Sequence, residues 1–197
     1  MKRIFDLIVA FFGLVFTVPL FLIIVFLIKS DSPGPIFYRA QRAGHFGKPF
    51  TMFKFRTMVI NADKIGGPST SADDPRLTKI GRKLRKYKLD ELPQLINVFK
   101  GEMSIVGPRP EVVSEIDTYD PLIKEKILSV KPGMGDLATL SDLNEEEILR
   151  GSADPHQTYR EKIKPEKIRL NLEYVEKQSF SFDLKIIISI ILKIFSK

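Results

Sequence analysis

The feature that most constrains this 197-residue chain is an apolar run near its N-terminus. Between residues 4 and 28 the only ionisable side chain is that of Asp6. An apolar stretch of about 25 residues is long enough to cross the hydrocarbon core of a bilayer as a helix. It is too long for the hydrophobic region of a cleaved signal peptide, and residues 29–31 lack the small-residue pattern of a cleavage site. The sequence therefore predicts a retained membrane anchor.

Two features bear on the topology of this anchor. Pro19 lies well inside the run, where a proline removes a helical hydrogen bond and kinks or breaks the helix at a cost of roughly 3 kcal/mol. Basic residues flank both ends of the run, namely Lys2, Arg3, Lys29, Arg39 and Arg42. The positive-inside rule therefore draws both ends towards the cytoplasm. A broken hairpin that enters and leaves one leaflet satisfies both features; a kinked single-pass helix also fits these residues, and both alternatives stay open here.

The C-terminal residues 183–197 are also amphipathic. Their polar positions recur every four residues, at Lys185, Ser189, Lys193 and Lys197. This spacing places one cationic stripe on a helix that is otherwise covered by Ile, Leu and Phe. Such a helix suits the membrane interface, with its lysines directed at anionic headgroups. A terminal helix that packs into the protein core has the same wide apolar cover and remains the alternative.

The charge of the chain favours anionic partners. The sequence has 31 Lys and Arg against 24 Asp and Glu, a net charge of +7, which suits phosphates, nucleic acid or an acidic membrane surface. Residues 39–109 carry 15 basic and 6 acidic side chains, whereas residues 110–178 carry 10 basic and 15 acidic ones. We therefore expect anion binding in the first of these two segments.

Several classes of site are excluded by composition and spacing. The chain has no cysteine, which rules out disulfides, thiolate chemistry and zinc sites built on cysteine. His45 and His156 are isolated and lack the spacing of metal ligands. No glycine-rich nucleotide fingerprint of the dinucleotide-binding or P-loop type is present, so any nucleotide must be held in another way.

The middle of the chain has the pattern of a small α/β domain. Residues 36–38 and 50–56 are rich in aromatic and β-prone side chains and predict short strands, with a tight turn at residues 44–47 between them. Residues 61–75 are rich in Asp, Ser, Gly and Pro and predict a surface loop. Residues 80–88 predict a basic helix that includes Arg82 and Arg85.

Asp90 and Glu91 are the strongest candidates for chemistry. Residues 89–99 predict a helix whose first turn holds Pro93, because proline is tolerated at that position. The two carboxylates then lie at the helix N-terminus, where the helix dipole favours ionised carboxylates and nearby phosphate. An acidic residue at such a position most often serves only as a cap.

Arg109 lies between Pro108 and Pro110, which restrict the backbone to near-extended geometry. A guanidinium on a stiff backbone suits bidentate binding of phosphate. A structural salt bridge is the alternative for this residue.

Five motifs, in this order, resemble those of the monotopic phosphoglycosyl transferases, also called the bacterial sugar transferases. They lie at residues 2–6 (KRIFD), 37–44 (FYRAQRAG), 54–58 (KFRTM), 89–97 (LDELPQLIN) and 101–110 (GEMSIVGPRP). The resemblance covers nearly the whole chain, and the ordered set is far more specific than any one motif.

This resemblance implies a small, mostly helical α/β domain associated with the membrane. Residues 1–30 would be a re-entrant helix-break-helix anchor with its break at Pro19. Residues 31–178 would form the catalytic domain, and residues 179–197 an amphipathic interfacial helix. The active site would face the cytoplasm at the bacterial inner membrane.

The resemblance also implies the chemistry. Asp90 and Glu91 would be the catalytic dyad and would hold Mg²⁺. The donor would be a UDP-sugar and the acceptor undecaprenyl phosphate, with anionic lipid headgroups as further contacts. The basic residues expected to line the phosphates are Arg109, Arg85, Arg82 and Arg56. A nucleic-acid partner is not expected, and a homodimer is left open.

The chain departs from the family pattern in two places. Val18 precedes Pro19 where many members have serine, and Thr17 is the nearest hydroxyl. Residues 134–140 read Met-Gly-Asp-Leu-Ala-Thr-Leu in place of the common Leu-Ala-Gln-Val pattern, so the donor sugar is not specified. Two other classes stay in view: a membrane-tethered nucleic-acid binder, and an inert scaffold in which Asp90 and Glu91 only cap a helix.

Overall fold

The computed structural model describes residues 1–67, 69–141 and 143–195. Its α-helices are α1 (Lys2–Asp31), α2 (Ala62–Ile65), α3 (Lys79–Lys86), α4 (Gln94–Lys100), α5 (Val113–Ile116), α6 (Pro121–Leu128), α7 (Leu137–Leu140), α8 (Glu145–Ile148), α9 (Pro155–Thr158), α10 (Lys164–Lys177) and α11 (Phe180–Phe195). Its strands are β1 (Phe37–Ala43), β2 (Pro49–Phe55), β3 (Ser104–Val106) and β4 (Gly133–Gly135). The structure is 59% helical with little sheet, which confirms the predicted fold class of a small, mostly helical α/β domain.

The two predicted strands form an antiparallel hairpin. β1 pairs with β2 in the register Phe37 to Phe55 and Ala43 to Pro49. The predicted tight turn is a short 3₁₀ turn (His45–Gly47) in which Phe46 and Gly47 have positive φ. One face of the hairpin packs with α1 and α4 in a cluster that includes Ala10, Ala40, Met52 and Val98.

The predicted break at Pro19 is wrong as a statement about secondary structure. Helix α1 continues from Lys2 to Asp31 with Pro19 inside it, and it is the one helix in the described residues that is long and apolar enough to cross a membrane. The Thr17 hydroxyl donates to the carbonyl of Gly13 at 2.6 Å, a contact of the kind that bends helices rather than ending them. Proline therefore costs one backbone bond here without interrupting the helix.

Helix α1 lies against the rest of the chain at both of its ends. The Asp6 carboxylate accepts hydrogen bonds from Ser104 Oγ at 3.1 and 3.0 Å and from the amide of Ile105 at 3.0 Å. Near the other end, Ile24 and Ile28 are buried with Phe55 and Leu84. The opposite face is bare and apolar, at Ile4, Ile8, Phe11, Phe12, Val15, Phe16, Val18, Leu22, Ile23 and Phe26. One face of the predicted anchor is thus part of the protein core.

Helix α11 combines both alternatives considered for it. Ile186 is buried beside Tyr174 and Val106, whereas Ile188, Ile191 and Leu192 are exposed. Lys193 does not point away from the protein, because its ammonium donates to the carbonyls of Leu140 and Ser141 at 3.0 and 2.8 Å. The predicted cationic stripe is therefore partly used inside the fold, and its last member, Lys197, lies outside the described residues.

Candidate active site

Asp90 and Glu91 lie in a separate 3₁₀ turn (Leu89–Glu91) between α3 and α4. The turn follows Lys88, whose φ of 56° is in the left-handed region that non-glycine residues rarely adopt. Pro93 is the N-cap of α4, so the predicted single helix over residues 89–99 is wrong at its start. The two carboxylates therefore precede a short helix instead of lying in its first turn.

Glu91 is buried and paired with two cations. Its side-chain oxygen Oε1 accepts hydrogen bonds from Arg109 Nη2 and from Lys54 Nζ, the latter at 2.9 Å. Burial alone would raise the pKa of Glu91, but the charges and hydrogen bonds of Arg109 and Lys54 outweigh it and hold the pKa well below its usual range. Glu91 is therefore ionised and fixes two cations beside Asp90.

Asp90 is buried to a similar degree but is much less paired. Its Oδ1 is sealed from solvent and has no hydrogen-bond partner in the described residues. Its Oδ2 lies 4.0 Å from Lys54 Nζ. Burial raises the pKa of Asp90, the Glu91 charge adds to this, and the charges of Lys54, Arg85 and Lys88 oppose it. Asp90 is thus a carboxylate with a free oxygen in a cationic setting.

The backbone that carries Arg109 is held by β3 and β4. These two strands are parallel, and Gly107 N donates to the carbonyl of Gly135 at 3.0 Å while Gly133 N donates to the carbonyl of Pro108 at 2.8 Å. A Cβ atom on Gly133 would overlap the backbone of Gly107, so the close approach requires glycine. This contact presents Arg109 towards Glu91.

A metal ion at this site would depend on few protein ligands. No group of three or more His, Cys, Asp or Glu side chains suited to a metal occurs among the described residues. Mg²⁺ is commonly held by one or two carboxylates together with substrate phosphates. The unpartnered Oδ1 of Asp90 fits such a ligand, whereas the Oε1 of Glu91 is already occupied by two cations.

Comparison with known sequences decides the family. A sequence model of the bacterial sugar transferases matches residues 1–197. The chain belongs to the bacterial sugar transferase family. It is therefore an enzyme of the sugar transferase class, as its motifs led us to expect.

Three relatives illustrate the range of this match. The chain is 38% identical over 190 residues to the uncharacterized sugar transferase EpsL of Bacillus subtilis, covering 95% of the chain and 83% of the relative. It is 42% identical over 159 residues to the exopolysaccharide production protein ExoY of Sinorhizobium fredii, covering 73% and 70%. It is 39% identical over 196 residues to the UDP-glucose:undecaprenyl-phosphate glucose-1-phosphate transferase of Escherichia coli, covering 98% of the chain but 40% of the relative. The chain thus spans about two fifths of the length of this last protein.

In this sugar transferase the four arginines predicted to line the phosphates lie in different surroundings. Arg109 lies against Glu91, and Arg85 is close enough to lower the pKa of Asp90 while its Nε donates to Glu146 Oε1 at 2.8 Å. Arg82 is exposed, and its side chain makes no hydrogen bond or ion pair within the described part of the chain. Arg82 therefore has no contact that would position it for the dyad.

The prediction that Arg56 lines the phosphates does not agree with its contacts. Its guanidinium is buried and donates to the carbonyl of Ser32 at 2.8 Å and to the carbonyl of Pro33. It therefore ties the segment after α1 to the end of β2. The sequence shows only a basic residue at the end of a predicted strand, and this pattern does not indicate that Arg56 binds backbone carbonyls.

Two charged residues that lie close to the dyad or to Arg109 were not assigned from the sequence. Lys54 follows Phe50 and Met52 at the period of a strand, so its ammonium lies on the buried face; this pattern was a usable signal. Asp136 is 1% exposed, and its Oδ2 lies 3.7 Å from Arg109 Nη1. Arg109 lies 27 positions before Asp136, and no local sequence pattern indicates that the two are in contact.

Proposed function

We propose that this protein transfers a phosphosugar from a UDP-sugar to undecaprenyl phosphate, releasing UMP and forming undecaprenyl diphosphate sugar. Apart from the identity of the sugar, this is the transfer for which the Escherichia coli relative is named. The observation that carries the proposal is the buried Asp90 carboxylate: its Oδ1 has no hydrogen-bond partner in the described residues, its Oδ2 lies 4.0 Å from Lys54 Nζ, and the adjacent Glu91 holds Arg109. This arrangement suits attack by a carboxylate on a negatively charged diphosphate.

The proposed chemistry is covalent catalysis in two displacements. An oxygen of Asp90 attacks the phosphorus that bears the sugar, and the bond from that phosphorus to the oxygen of UMP breaks. UMP leaves with the bonding electrons, and the phosphosugar remains on Asp90 as an acyl phosphate. A phosphate oxygen of undecaprenyl phosphate then attacks the same phosphorus, and the Asp90 carboxylate is released.

The neighbouring side chains would act by charge and position. Phosphoryl transfer depends mainly on alignment and on neutralisation of charge at the phosphate oxygens. Arg109 retains N–H groups beyond the one that contacts Glu91, and Arg85 and Lys54 add positive charge around Asp90. Glu91 would keep Arg109 and Lys54 beside the nucleophile. Arg82, which is exposed, would contribute only at long range.

We further propose that Asp90 ligates Mg²⁺ through its unpartnered oxygen, with Glu91 contributing through the oxygen that its two cations do not occupy. When bound, the ion would supply positive charge that offsets the diphosphate. Lys54 and Arg109 would hold Glu91 in place for this role.

The membrane arrangement that we propose has both ends of α1 on the cytoplasmic side of the inner membrane. Helix α1 contacts the domain near Asp6 and again near Ile28, so a crossing helix would draw polar parts of the domain into the hydrocarbon. Its bare apolar face would meet the acyl chains. Lys83 and Lys86 on the exposed face of α3, which packs beside α1, would meet anionic headgroups.

The test is release of UMP from a panel of UDP-sugars by detergent-solubilised protein with Mg²⁺ and undecaprenyl phosphate. We expect wild-type turnover to require the lipid and the metal ion. Asp90→Asn should abolish turnover, and Glu91→Gln should lower it by roughly 100-fold or more, because Glu91 fixes two of the cations.

The matched control is Asp120→Asn, which changes an exposed aspartate that caps α6 by accepting from Leu122 N at 2.9 Å. It should retain wild-type turnover, since asparagine caps helices as well as aspartate. Wild-type turnover that persists in a folded Asp90→Asn protein would refute the covalent mechanism. Absence of turnover with every sugar would favour an inert scaffold.

A further inference from the structure

The two arginines nearest the dyad are each held by a carboxylate from the segment that follows β4. Arg109 Nη1 lies 3.7 Å from Asp136 Oδ2, on the side of its guanidinium that does not contact Glu91. Arg85 Nε donates to Glu146 Oε1 at 2.8 Å. This segment begins with residues 136–140, which belong to the stretch that departs from the common family pattern.

The Asp136 carboxylate has two separate environments. Its Oδ1 accepts from the amide of Thr139 at 2.6 Å and from the Thr139 hydroxyl at 2.9 Å, which caps α7. Its Oδ2 is sealed from solvent and has no hydrogen-bond partner among the described residues. A buried charged oxygen is costly unless a counter-charge compensates it, and Arg109 is the cation beside it. The Asp136 charge in turn helps to raise the pKa of Arg109 further above its usual range, after the larger effect of Glu91.

Glu146, the carboxylate beside Arg85, is held in place through its backbone. Its backbone carbonyl accepts a hydrogen bond from Ala72 N at 3.0 Å, so α8 is attached to the loop before α3. Its side chain contacts Arg85, whose charge lowers the pKa of Asp90. Glu146 therefore acts on the dyad through Arg85.

We propose that Asp136 and Glu146 are positioning residues that orient Arg109 and Arg85 for the donor diphosphate. Arginine binds phosphate best when its planar guanidinium is already oriented before the ligand arrives. Displacement of a positioning group by about 1 Å can lower the rate roughly 100-fold. Both oxygens of Asp136 face groups of the protein, since Oδ1 accepts from Thr139 N and Oδ2 lies 3.7 Å from Arg109 Nη1. The inference rests on the proposed function, because it assigns the two arginines to the phosphates of a UDP-sugar.

The central variant is Asp136→Asn. Asparagine keeps an oxygen for the α7 cap and nearly the same volume, but it removes the charge that faces Arg109. We expect kcat/KM for the UDP-sugar to fall about tenfold, with an unchanged thermal midpoint. Glu146→Gln should cause a smaller loss, roughly threefold, because glutamine still offers an acceptor to Arg85. The control is Glu147→Gln, since Glu147 is exposed and pairs with Arg150 outside the site; it should have no effect.

A double-mutant cycle distinguishes positioning from general structural support. Binding of UDP, measured by calorimetry without acceptor, is compared for wild type, Asp136→Asn, Arg109→Gln and the double variant. If Asp136 acts through Arg109, Asp136→Asn should weaken UDP binding in the wild-type background and have no further effect once Arg109 is removed.

Equal losses in the two backgrounds would overturn the proposal, as would unchanged kcat/KM in Asp136→Asn. A fall in the thermal midpoint that accounts for the lost activity would also overturn it. A third outcome separates the two proposals: wild type binds UDP and the cycle shows coupling, but no UDP-sugar is turned over. The proposed reaction would then be refuted, whereas the positioning of Arg109 by Asp136 would be supported. Absence of UDP binding by wild type would refute both.

Discussion

At the scale of single residues, the site depends on two adjacent carboxylates in different surroundings. Glu91 is paired with Arg109 and Lys54, which hold its pKa well below the usual range, whereas burial raises the pKa of Asp90. Such divergence between neighbouring acids commonly separates their roles. Here Glu91 is paired with two cations, and in the proposed reaction Asp90 is the carboxylate that reacts.

The pH dependence of the reaction should therefore report the state of Asp90. Its pKa is raised in the folded protein, so kcat/KM should fall as the pH drops through a value above that of an ordinary aspartate, because the protonated acid is not a nucleophile. The ammonium of Lys54 lowers the Asp90 pKa, so Lys54→Gln should move this acid limb to higher pH. The measurement is kcat/KM for UMP release against pH in both proteins.

Lys48→Gln is the matched control, because Lys48 is exposed at the tip of the β1–β2 hairpin, away from the dyad. Its acid limb should coincide with that of wild type. An acid limb in Lys54→Gln that stays in place or moves to lower pH would contradict the assignment of Asp90 as the titrating group.

At the scale of elements, the position of the dyad depends on how α3 meets the end of β2. The Thr78 hydroxyl accepts from Gly81 N at 2.9 Å and caps α3, and Thr78 N donates to the carbonyl of Thr57 at 3.0 Å. A Cβ atom at residue 81 would overlap the backbone carbonyl of Thr57. Gly81 therefore allows α3 to approach close enough to present Arg85 and the turn that follows.

Gly81→Ala tests this contact. Alanine favours a helix over glycine by about 1 kcal/mol, so propensity alone predicts stabilisation. The overlap with Thr57 should reverse the sign and destabilise the protein by roughly 1–3 kcal/mol, because a packed backbone yields little. Thermal unfolding measures the change. Gly67→Ala is the control, since its Cβ would meet only His156 Cβ at 3.9 Å. Equal stability of Gly81→Ala and wild type would show that α3 is not held at this distance.

The elements that were predicted well depend on local patterns. The β1–β2 hairpin and α3 follow from alternation, turn residues and helical composition. The bounds of β2 and α3 agree with the structure to within two residues, whereas β1 ends five residues beyond the predicted strand. The break at Pro19 was wrong because tertiary contacts on both sides keep α1 helical despite the missing backbone bond. The predicted start of α4 was wrong because residues 89–91 form a separate 3₁₀ turn and Pro93 is the N-cap of the helix.

The contacts within the site were harder to predict because they join distant parts of the chain. Asp90 and Glu91 were found from their motif, but the Lys54 to Glu91 and Arg109 to Asp136 pairs form only after β2, β3 and β4 have packed. Arg56 shows the limit of composition: a basic residue near the site turns instead to the carbonyls of Ser32 and Pro33.

At the scale of the whole molecule, the hydrophobic helix and the catalytic domain form one body. Ala10 on α1 shares a core with Met52 and Val98, and Ile24 shares another with Phe55. The proposed reaction has a water-soluble donor and a lipid acceptor. The active site must therefore lie at the boundary between water and membrane. A helix that packs on the domain by one face and offers lipids the other keeps the dyad near that boundary.

This arrangement predicts that both ends of α1 lie on the cytoplasmic side, and the absence of native cysteine allows a direct test with single-cysteine variants. A cysteine inserted directly after Met1, which is 94% exposed and precedes α1, and Ser30→Cys place a thiol at exposed positions near the two ends. Both should react with a membrane-impermeant maleimide in inside-out vesicles and not in right-side-out spheroplasts. Phe16→Cys, at a side chain that is 77% exposed in the bare protein, should react in neither because lipid covers it.

Lys48→Cys reports the domain side in the same experiment, since Lys48 is exposed in the hairpin and should label only in inside-out vesicles. Reaction of the cysteine inserted after Met1 from the outside while Ser30→Cys and Lys48→Cys react from the inside would mean that α1 crosses the bilayer. In that case its contacts at Asp6 and Ala10 would have to break, because β3 and α4 cannot follow the N-terminus of α1 through the hydrocarbon. Protection of Phe16→Cys together with one-sided labelling of both ends would instead establish α1 as a helix that enters the membrane without crossing it.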